Sequence, residues 1–269
     1  MQWSRVKTIL IVLLAAVDCL LLCMLGSKVW FAHQREQEAH AYIQTVLARS
    51  GVTLDESAKI PASAMIPQLL IDRNRADEAA VASALLGGSA ERREDGERSR
   101  FVGSMGEVVW DEQGELTATL TPEDYTKPQG GQVQERARKL LQSAGFSTDG
   151  LLWETDGNMV TVRFKTAGYE VFNRNLTITF TKENVMIQGW WTFDEPYSTK
   201  SDLYASYDPN DALLVFAGTG VKSCISGMEP GLLLTNTAGN QFGLTPVWRL
   251  YTDRGEYFVD ALKKTVLSP

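Results

Sequence analysis

The sequence predicts an α+β fold: antiparallel sheets with helices packed on one face, in two subdomains, preceded by one membrane-spanning helix. Three patterns support this prediction. Residues 8–25 are apolar or small except for one carboxylate, Asp18. Farther along, three stretches of helical periodicity each stop at a glycine, and runs of alternating apolar and polar residues lie between them. Helices mixed with antiparallel strands are typical of layered α+β domains.

The apolar segment near the amino terminus has the length of a transmembrane helix. From Thr8 to Leu25 it contains eighteen residues, which span ~27 Å at a helical rise of ~1.5 Å per residue, close to the hydrocarbon thickness of a bilayer. Trp3 and Trp30 flank the segment, as aromatic residues do at membrane interfaces, and Arg5 and Lys7 precede it. We therefore predict a membrane anchor.

A cleaved signal peptide and a lipoprotein signal are the alternatives. Signal peptides have shorter apolar regions of ~7–15 residues and end in a small-x-small site, which the exit at residues 25–27 matches poorly. Cys19 and Cys23 follow Asp18 and Leu22, whereas lipoprotein processing favours small residues there. These observations favour an uncleaved anchor.

The distribution of basic residues gives the orientation of this anchor. Arg5 and Lys7 precede the apolar segment, and Lys28 and Arg35 follow it. This distribution slightly favours a cytoplasmic amino terminus. The chain is then a single-pass protein of the cell membrane with its carboxyl-terminal region extracellular. A stretch at 121–132 with two prolines and two glycines marks a domain boundary. The predicted units are a cytoplasmic tail (1–7), the anchor (8–27), a membrane-proximal α+β domain (28–125) and a carboxyl-terminal α+β domain (126–269).

Three stretches of the exterior region share a helix, glycine and strand order. They cover residues 34–56, 132–150 and 208–224. Apolar residues recur at helical spacing before Gly51 and Gly145, and glycine is a common residue at the carboxyl end of a helix. Internal duplication and shared local sequence preferences both explain the likeness.

Alternation of apolar and polar residues predicts the strands. It runs through 158–172 and 175–193, with a turn at 182–184, and through 246–262, with a turn at 252–255. By contrast, residues 87–100 carry mixed charge and almost no apolar side chains, which predicts an exposed loop.

Composition limits the classes of function. The 269 residues are 44% hydrophobic and 22% charged, typical of a globular protein, and the net charge of −7 offers nothing to attract nucleic acid. Cys224 has no second cysteine on the exterior side of the anchor, so no disulfide framework is predicted.

Motifs at the two chain ends resemble the YycH/YycI family. One is W-S-R-x-K-T-I, here Trp3, Ser4, Arg5, Lys7, Thr8 and Ile9, followed by a single apolar span with an acidic residue near its centre. The other is P-x-W-R-L…G-x-Y-F-V-D-A, here Pro246, Trp248, Arg249, Leu250, Gly255, Tyr257, Phe258, Val259, Asp260 and Ala261. The likeness covers most of the chain in layout, but its specific motifs lie at the ends.

This resemblance implies a regulator without catalysis. Members of the family are membrane-anchored extracytoplasmic proteins of Gram-positive bacteria that associate with an essential sensor histidine kinase, WalK (YycG), of the two-component system controlling cell-wall homeostasis. The implied partners are therefore a WalK-like kinase, a YycH-like protein and the membrane. The terminal strands also resemble PepSY-like modules, so an alternative is a tethered envelope module that captures a peptide or a cell-wall component.

Asp18 fits a contact between membrane helices. On a helix it adjoins a stripe of small residues, the kind of surface that lets a second helix approach closely. A carboxylate facing lipid costs about 2.5–3.5 kcal/mol on insertion scales, so a protonated or hydrogen-bonded state is expected. The predicted contact comprises Ala15, Asp18, Cys19, Cys23 and Gly26. Simple tolerance of a protonated acid is the alternative.

No pattern predicts an active site, a cofactor or a metal site. His33 and His40 lie seven residues apart without soft ligands nearby, and neither has a recognisable nucleophile beside it. We therefore predict that the chain is not an enzyme. Trp190, Trp191 and Phe193 form a possible exterior interaction surface, although strand alternation also suits Trp191 and Phe193 to the core.

Overall fold

The structure is a computed structural model that describes most of the chain after residue 41. The described residues are Val17, Met24, 42–95, 98–123, 125–191, 195–198, 206–236 and 241–267. Within these ranges, no helix is both long and apolar enough to cross a membrane. The predicted anchor lies outside the described residues apart from Val17 and Met24.

The described part of the chain is mixed α+β with a mostly antiparallel sheet, which confirms the predicted class. The helices are α1 (42–50), α2 (Arg75–Leu85), α3 (Gln132–Ser143) and α4 (Pro209–Ala217). The strands are β1 (Val52–Leu54), β2 (Ala64–Met65), β3 (Leu69–Asp72), β4 (Ala90–Asp95), β5 (Arg98–Gly103), β6 (Gly106–Trp110), β7 (Glu115–Leu120), β8 (Leu152–Asp156), β9 (Met159–Thr166), β10 (Tyr169–Phe180), β11 (Val185–Trp190), β12 (Ser206–Tyr207), β13 (Ser223–Asn236), β14 (Gln241–Thr252), β15 (Gly255–Asp260) and β16 (Thr265–Leu267).

Fourteen of these strands form one sheet. Its main path runs β16-β15-β14-β13-β10-β11-β7-β6-β5-β4, while β3 pairs with β14, and β8 joins through β9 to β10. Two parallel contacts interrupt the antiparallel order: β1 pairs with β13, and β10 meets β13 at Val171 and Leu232. The strand β10 therefore connects β13 to β16 on one side of the sheet with β11 and β4 to β7 on the other.

Local sequence explains where the helices begin. The Asn74 side chain accepts hydrogen bonds from the first backbone N–H groups of α2, and the Asp208 side chain caps α4 ahead of Pro209. Both are favoured residues at this position, and proline suits the first turn because its missing N–H has no partner there.

The predicted order of helix, glycine and strand is present in the described parts of the first and third stretches, whereas after α3 the next strand, β8, begins only at Leu152, beyond the end of the second stretch. Gly51 follows α1 with φ +78° and leads into β1, and Gly145 follows α3 with φ +86°. After α4, the left-handed residue is Gly220 (φ +74°), while Gly218 stays right-handed. Glycine adopts the left-handed conformation without steric cost, so the chain can change direction after each of these helices.

Buried side chains form two cores. The larger packs α2 and α3 against strands β3, β5 to β7 and β9 to β11, and the smaller packs α1 and α4 against β1 and β13 to β15. The larger core takes residues from both sides of the predicted boundary at 125 and 126, and β7 pairs with β11 across it. The segment 121–132 thus connects parts of one core.

The predicted loop structure at 87–100 is wrong over most of its length, although residues 87–89, 91–93 and 98 are exposed as predicted. Its described residues include β4 and the first part of β5, which pair in register from Ala90 with Gly103 to Asp95 with Arg98. Backbone pairing needs no apolar side chain on the solvent face, and β4 ends the main strand path. Charged residues on such an edge strand discourage pairing with other chains, which explains a polar sequence in a strand.

Candidate functional site

A cleft of about 710 Å³ lies between α2, the carboxyl end of α3 and strands β9 and β10. We call it the Trp191 cleft. Its walls include Val81 and Ala84 from α2, Phe164 from β9, Arg174 from β10 and Trp191. It opens beside the larger core, so its inner wall consists of core side chains and its rim of polar ones.

An aromatic cluster lies at the inner wall, where Phe164 and Trp191 line the cleft and Phe146 packs behind them. Trp191 is 4% exposed and meets Phe146 edge-on, with ring centres 4.4 Å apart. The Phe164 ring lies 4.3 Å from Trp191 on another side, again in an edge arrangement. Such pairs contribute about 0.5–1.5 kcal/mol beyond the burial of their area, so the wall is expected to be rigid.

A bulge in β10 brings a cation to this wall. Val171 pairs with Phe164 and Asn175 pairs with Arg163, so residues 172–174 have no counterpart on β9. Extra residues in one strand redirect side chains that simple alternation would place elsewhere. Here the last of them, Arg174, lines the cleft.

Arg174 is a buried cation stacked on an aromatic ring. The residue is only 5% exposed, and its Cζ atom lies 4.0 Å from the centre of the Phe164 ring. Burial lowers the pKa of the guanidinium to about 9, because desolvation disfavours the charged form. The group therefore remains positive at neutral pH.

The same bulge connects the cleft to the second half of the sheet. The Asn173 Oδ1 atom accepts the Leu234 N–H at 2.7 Å, and Nδ2 donates to the Leu234 carbonyl at 2.8 Å. The Asn173 side-chain amide thus bonds to the Leu234 backbone of β13 as a β10 backbone group would in a regular sheet. It does so at the bulge, where the regular pairing of β10 is interrupted. The bulge holds the cleft wall and β13 in one hydrogen-bonded unit.

Replacing Asn173 by Ala is expected to lower the free energy of unfolding by about 1–3 kcal/mol, because both Leu234 backbone groups lose their partner. Urea unfolding of the full chain in detergent measures the change, and hydrogen exchange at the Leu234 amide should accelerate. Asn158→Ala, which removes one bond to the Phe180 carbonyl, is the matched control and should cost less. An unchanged Leu234 exchange rate would contradict this role.

The rim of the cleft carries exposed charges of both signs. Asp149 and Glu195 lie on it with Lys165, while Asp77 accepts a hydrogen bond from the Asn74 side chain. The Ser143 hydroxyl donates to the Leu140 carbonyl at 2.8 Å and so caps α3.

The wall of the cleft, a cation stacked beside aromatic rings, suits a ligand that carries both a hydrogen-bond acceptor and an apolar group.

The carboxyl-terminal motif forms the β14–β15 hairpin. Trp248 pairs with Val259, and Leu250 pairs with Tyr257, on the face toward the smaller core. Arg249 points the other way and bonds to Glu229 at 3.3 Å and to Glu256 at 2.6 Å. The motif therefore places Trp248, Leu250 and Val259 in the smaller core, and Arg249 with its two glutamate partners on the other face.

Two residues of the predicted aromatic surface pack in or against the larger core. Trp191 belongs to this core and to the cleft wall, and the half-buried Trp190 packs against the same core and meets the Phe242 ring edge-on at 5.7 Å. Phe193 lies outside the described residues, and so do all five residues of the predicted helix contact, Ala15, Asp18, Cys19, Cys23 and Gly26. Within the described residues, no group of three or more His, Cys, Asp and Glu side chains is arranged to hold a metal ion.

Sequence reasoning missed Arg174. The available signal was the polar run from Asn173 to Asn175, which interrupts alternation inside an otherwise regular strand. Such an interruption favours a bulge, but the direction in which the bulge turns each side chain depends on the neighbouring strands.

Comparisons with known proteins give weak similarities. No protein-family model matches the sequence, and no curated protein matches it. The chain is similar in structure to an uncharacterized protein from Eubacterium rectale ATCC 33656, with 11% identity and a TM-score of 0.38, over 81% of this chain and 91% of that one. It is also similar to the Bacillus megaterium YpeB C-terminal domain, with 14% identity and a TM-score of 0.33, over 72% of this chain and 95% of that domain. These values assign neither a family nor a function.

Proposed function

We propose that this chain is a membrane-anchored, non-catalytic regulator of a WalK-like sensor histidine kinase in a two-component system for cell-wall homeostasis. In this proposal, residues 8–27 span the cell membrane, the amino terminus is cytoplasmic and the α+β region is extracellular. The stripe around Asp18 contacts a helix of the kinase, and the exterior region contacts a YycH-like partner. The sequence resemblance at the two chain ends is the starting point for this proposal.

The observation that carries the proposal is the packing of α1. This helix lies closest in sequence to the predicted anchor, and its residues Ile43 and Leu47 are 5% and 1% exposed in the smaller core. A helix that served only as a tether would need no such burial. A helix fixed in the core can transmit a displacement between membrane and exterior region, as a regulator requires.

The carboxyl-terminal motif meets α1 in this core. Trp248, Leu250 and Val259 belong to the same cluster as Ile43 and Leu47. The terminal hairpin and α1 therefore contribute side chains to one buried cluster. This shared cluster supports a coupled function of α1 and the carboxyl-terminal hairpin.

Exchanging residues 1–30 for an unrelated single-pass helix tests the proposal. We expect the exchanged chain to insert in the membrane but to lose co-purification with the kinase and control of its target promoters. Asp18→Leu is the narrower variant, and it should weaken co-purification while insertion persists. Full regulation by the exchanged chain would contradict the proposal.

The Trp191 cleft favours a second candidate, the tethered envelope module that captures a peptide or a wall component. Its buried cation and aromatic wall suit a ligand, and this role assigns no contact to the membrane helix. The same exchange of residues 1–30 separates the candidates, because the binding module would keep its ligand affinity and its activity.

A further inference from the structure

A short segment before β12, residues 195–198, lies at the rim of the Trp191 cleft, and we call it the rim segment. The exposed Glu195 and the half-buried Pro196 line the cleft. Asp77 and Ala80 of α2 line it as well. The position of the rim segment therefore helps to set the width of the cleft.

The backbone of Tyr197 fixes the rim segment to β3. The Leu70 N–H donates to the Tyr197 carbonyl at 2.8 Å, and the Tyr197 N–H donates to the Leu70 carbonyl at 2.9 Å. Among the described residues this is a single bridge, whereas β3 pairs with β14 over four residue pairs. A short attachment with few exposed hydrogen bonds opens more readily than a longer ladder, so additional contacts matter here.

The Tyr197 side chain provides a second attachment. Its hydroxyl donates to Asp72 Oδ2 at 2.9 Å and accepts a hydrogen bond from Gln241 Nε2 at 2.9 Å. Gln241 Nε2 also donates to Asp72 Oδ1 at 3.2 Å. The bond to Asp72 raises the pKa of the Tyr197 hydroxyl, so the hydroxyl keeps its proton at neutral pH. This Tyr197 cluster (Asp72, Tyr197 and Gln241) joins the rim segment to both β3 and β14.

We propose that the Tyr197 cluster holds the rim segment against the Trp191 cleft and so limits access to it. Tyr197 is a positioning residue, because it does not line the cleft and acts through its neighbours Glu195 and Pro196. Without the hydroxyl, only the backbone bridge to Leu70 holds Tyr197, and the rim segment leaves the cleft more often. Any consequence for ligand capture rests on the second candidate function, whereas access is measured without a ligand. The two can therefore fail separately.

Tyr197→Phe tests the proposal, because it removes the hydroxyl and keeps the ring and the backbone bridge. We expect amide hydrogen exchange at Tyr197 and Leu70 to accelerate about three- to tenfold in the full chain in detergent, as the loss of exposed hydrogen bonds implies. Exchange at Ile71, which pairs with Phe242 of β14, should not change.

Fluorine NMR of the full chain labelled with 5-fluorotryptophan measures access to the cleft. Trp191 lines the cleft, whereas Trp190 does not and serves as the internal reference. Trp190→Phe and Trp191→Phe assign the two resonances. A neutral, soluble gadolinium chelate should relax the Trp191 fluorine at least twofold faster in Tyr197→Phe than in the unchanged protein, with relaxation of Trp190 unaltered.

Tyr125→Phe is the matched control, because the Tyr125 hydroxyl donates to the Thr181 carbonyl and Tyr125 does not line the cleft. It should alter neither the exchange at Tyr197 nor the relaxation of Trp191. The midpoint of urea unfolding should stay the same in Tyr197→Phe, since a general loss of structure would lower it and expose both tryptophans. Unchanged exchange at Tyr197, faster exchange with unaltered Trp191 relaxation, or equal changes at both tryptophans would each overturn the proposal.

Discussion

Replacing Glu78 by Leu is expected to lower the free energy of unfolding by about 3–5 kcal/mol, because it leaves a buried guanidinium without its counterion. Arg73 Nε lies 2.6 Å from Glu78 Oε1, and the two side chains are only 3% and 4% exposed. The Arg73 Nη1 atom also donates to the Glu112 carbonyl at 2.9 Å. The pair thus fixes the first turn of α2 to the turn between β6 and β7.

Urea unfolding of the full chain in detergent measures this effect, and two further variants show its origin. The double replacement Arg73→Met with Glu78→Leu should recover much of the loss, since neither charge remains buried alone. Glu91→Leu removes a partner of Arg93 from a pair whose side chains are 57% and 71% exposed, and should change stability by only about 0–1 kcal/mol. A double variant no more stable than Glu78→Leu would indicate that packing, and not charge, governs this site.

The buried pair also affects the Trp191 cleft. Helix α2 supplies one wall of that cleft through Val81 and Ala84, and the pair holds the amino-terminal end of the same helix. Loss of the pair should therefore loosen the cleft wall before the sheet unfolds. Hydrogen exchange in residues 75–85 should accelerate more than exchange in β9 and β10.

The elements that sequence predicted well are governed by neighbouring residues. The turns at 182–184 and 252–255 join strands that pair in the predicted way, because turn residues and alternation act within a few positions. The glycine ends of α1 and α3 follow from the same local preference. The carboxyl-terminal hairpin belongs to this class, because its turn and its two strands were predicted from neighbouring residues.

The features that sequence did not predict depend on distant partners. Residues 90–95 form a strand because β5 pairs with them, although their charges are typical of a loop. The core shared across residues 125 and 126 arises from the pairing of β7 with β11, and the composition of the segment between these strands does not predict that pairing. Arg174 reaches the cleft through a bulge whose direction Asn173 fixes by bonding to Leu234 on β13. Each case requires knowledge of which strands are neighbours.

Replacing Leu47 by Ala is expected to lower the free energy of unfolding by about 2–5 kcal/mol and, on the proposed function, to abolish regulation of the kinase. Leu47 is 1% exposed in the smaller core, so its truncation removes buried apolar area and leaves a cavity. Leu47→Met conserves volume and should cost less than about 1.5 kcal/mol. Leu262→Ala, at a residue 42% exposed, should have little effect. Urea unfolding gives the stabilities, and transcription from a kinase-dependent promoter gives the regulation.

Stability loss alone could reduce regulation, and Leu141→Ala separates the two effects. Leu141 is 0% exposed in the larger core, so its truncation should cost a similar free energy of unfolding without touching the core that holds α1. If α1 transmits between membrane and exterior region, Leu47→Ala will impair regulation at membrane protein levels where Leu141→Ala does not. Equal impairment by both variants would mean that the exterior region need only be folded, and α1 would then be part of a tether.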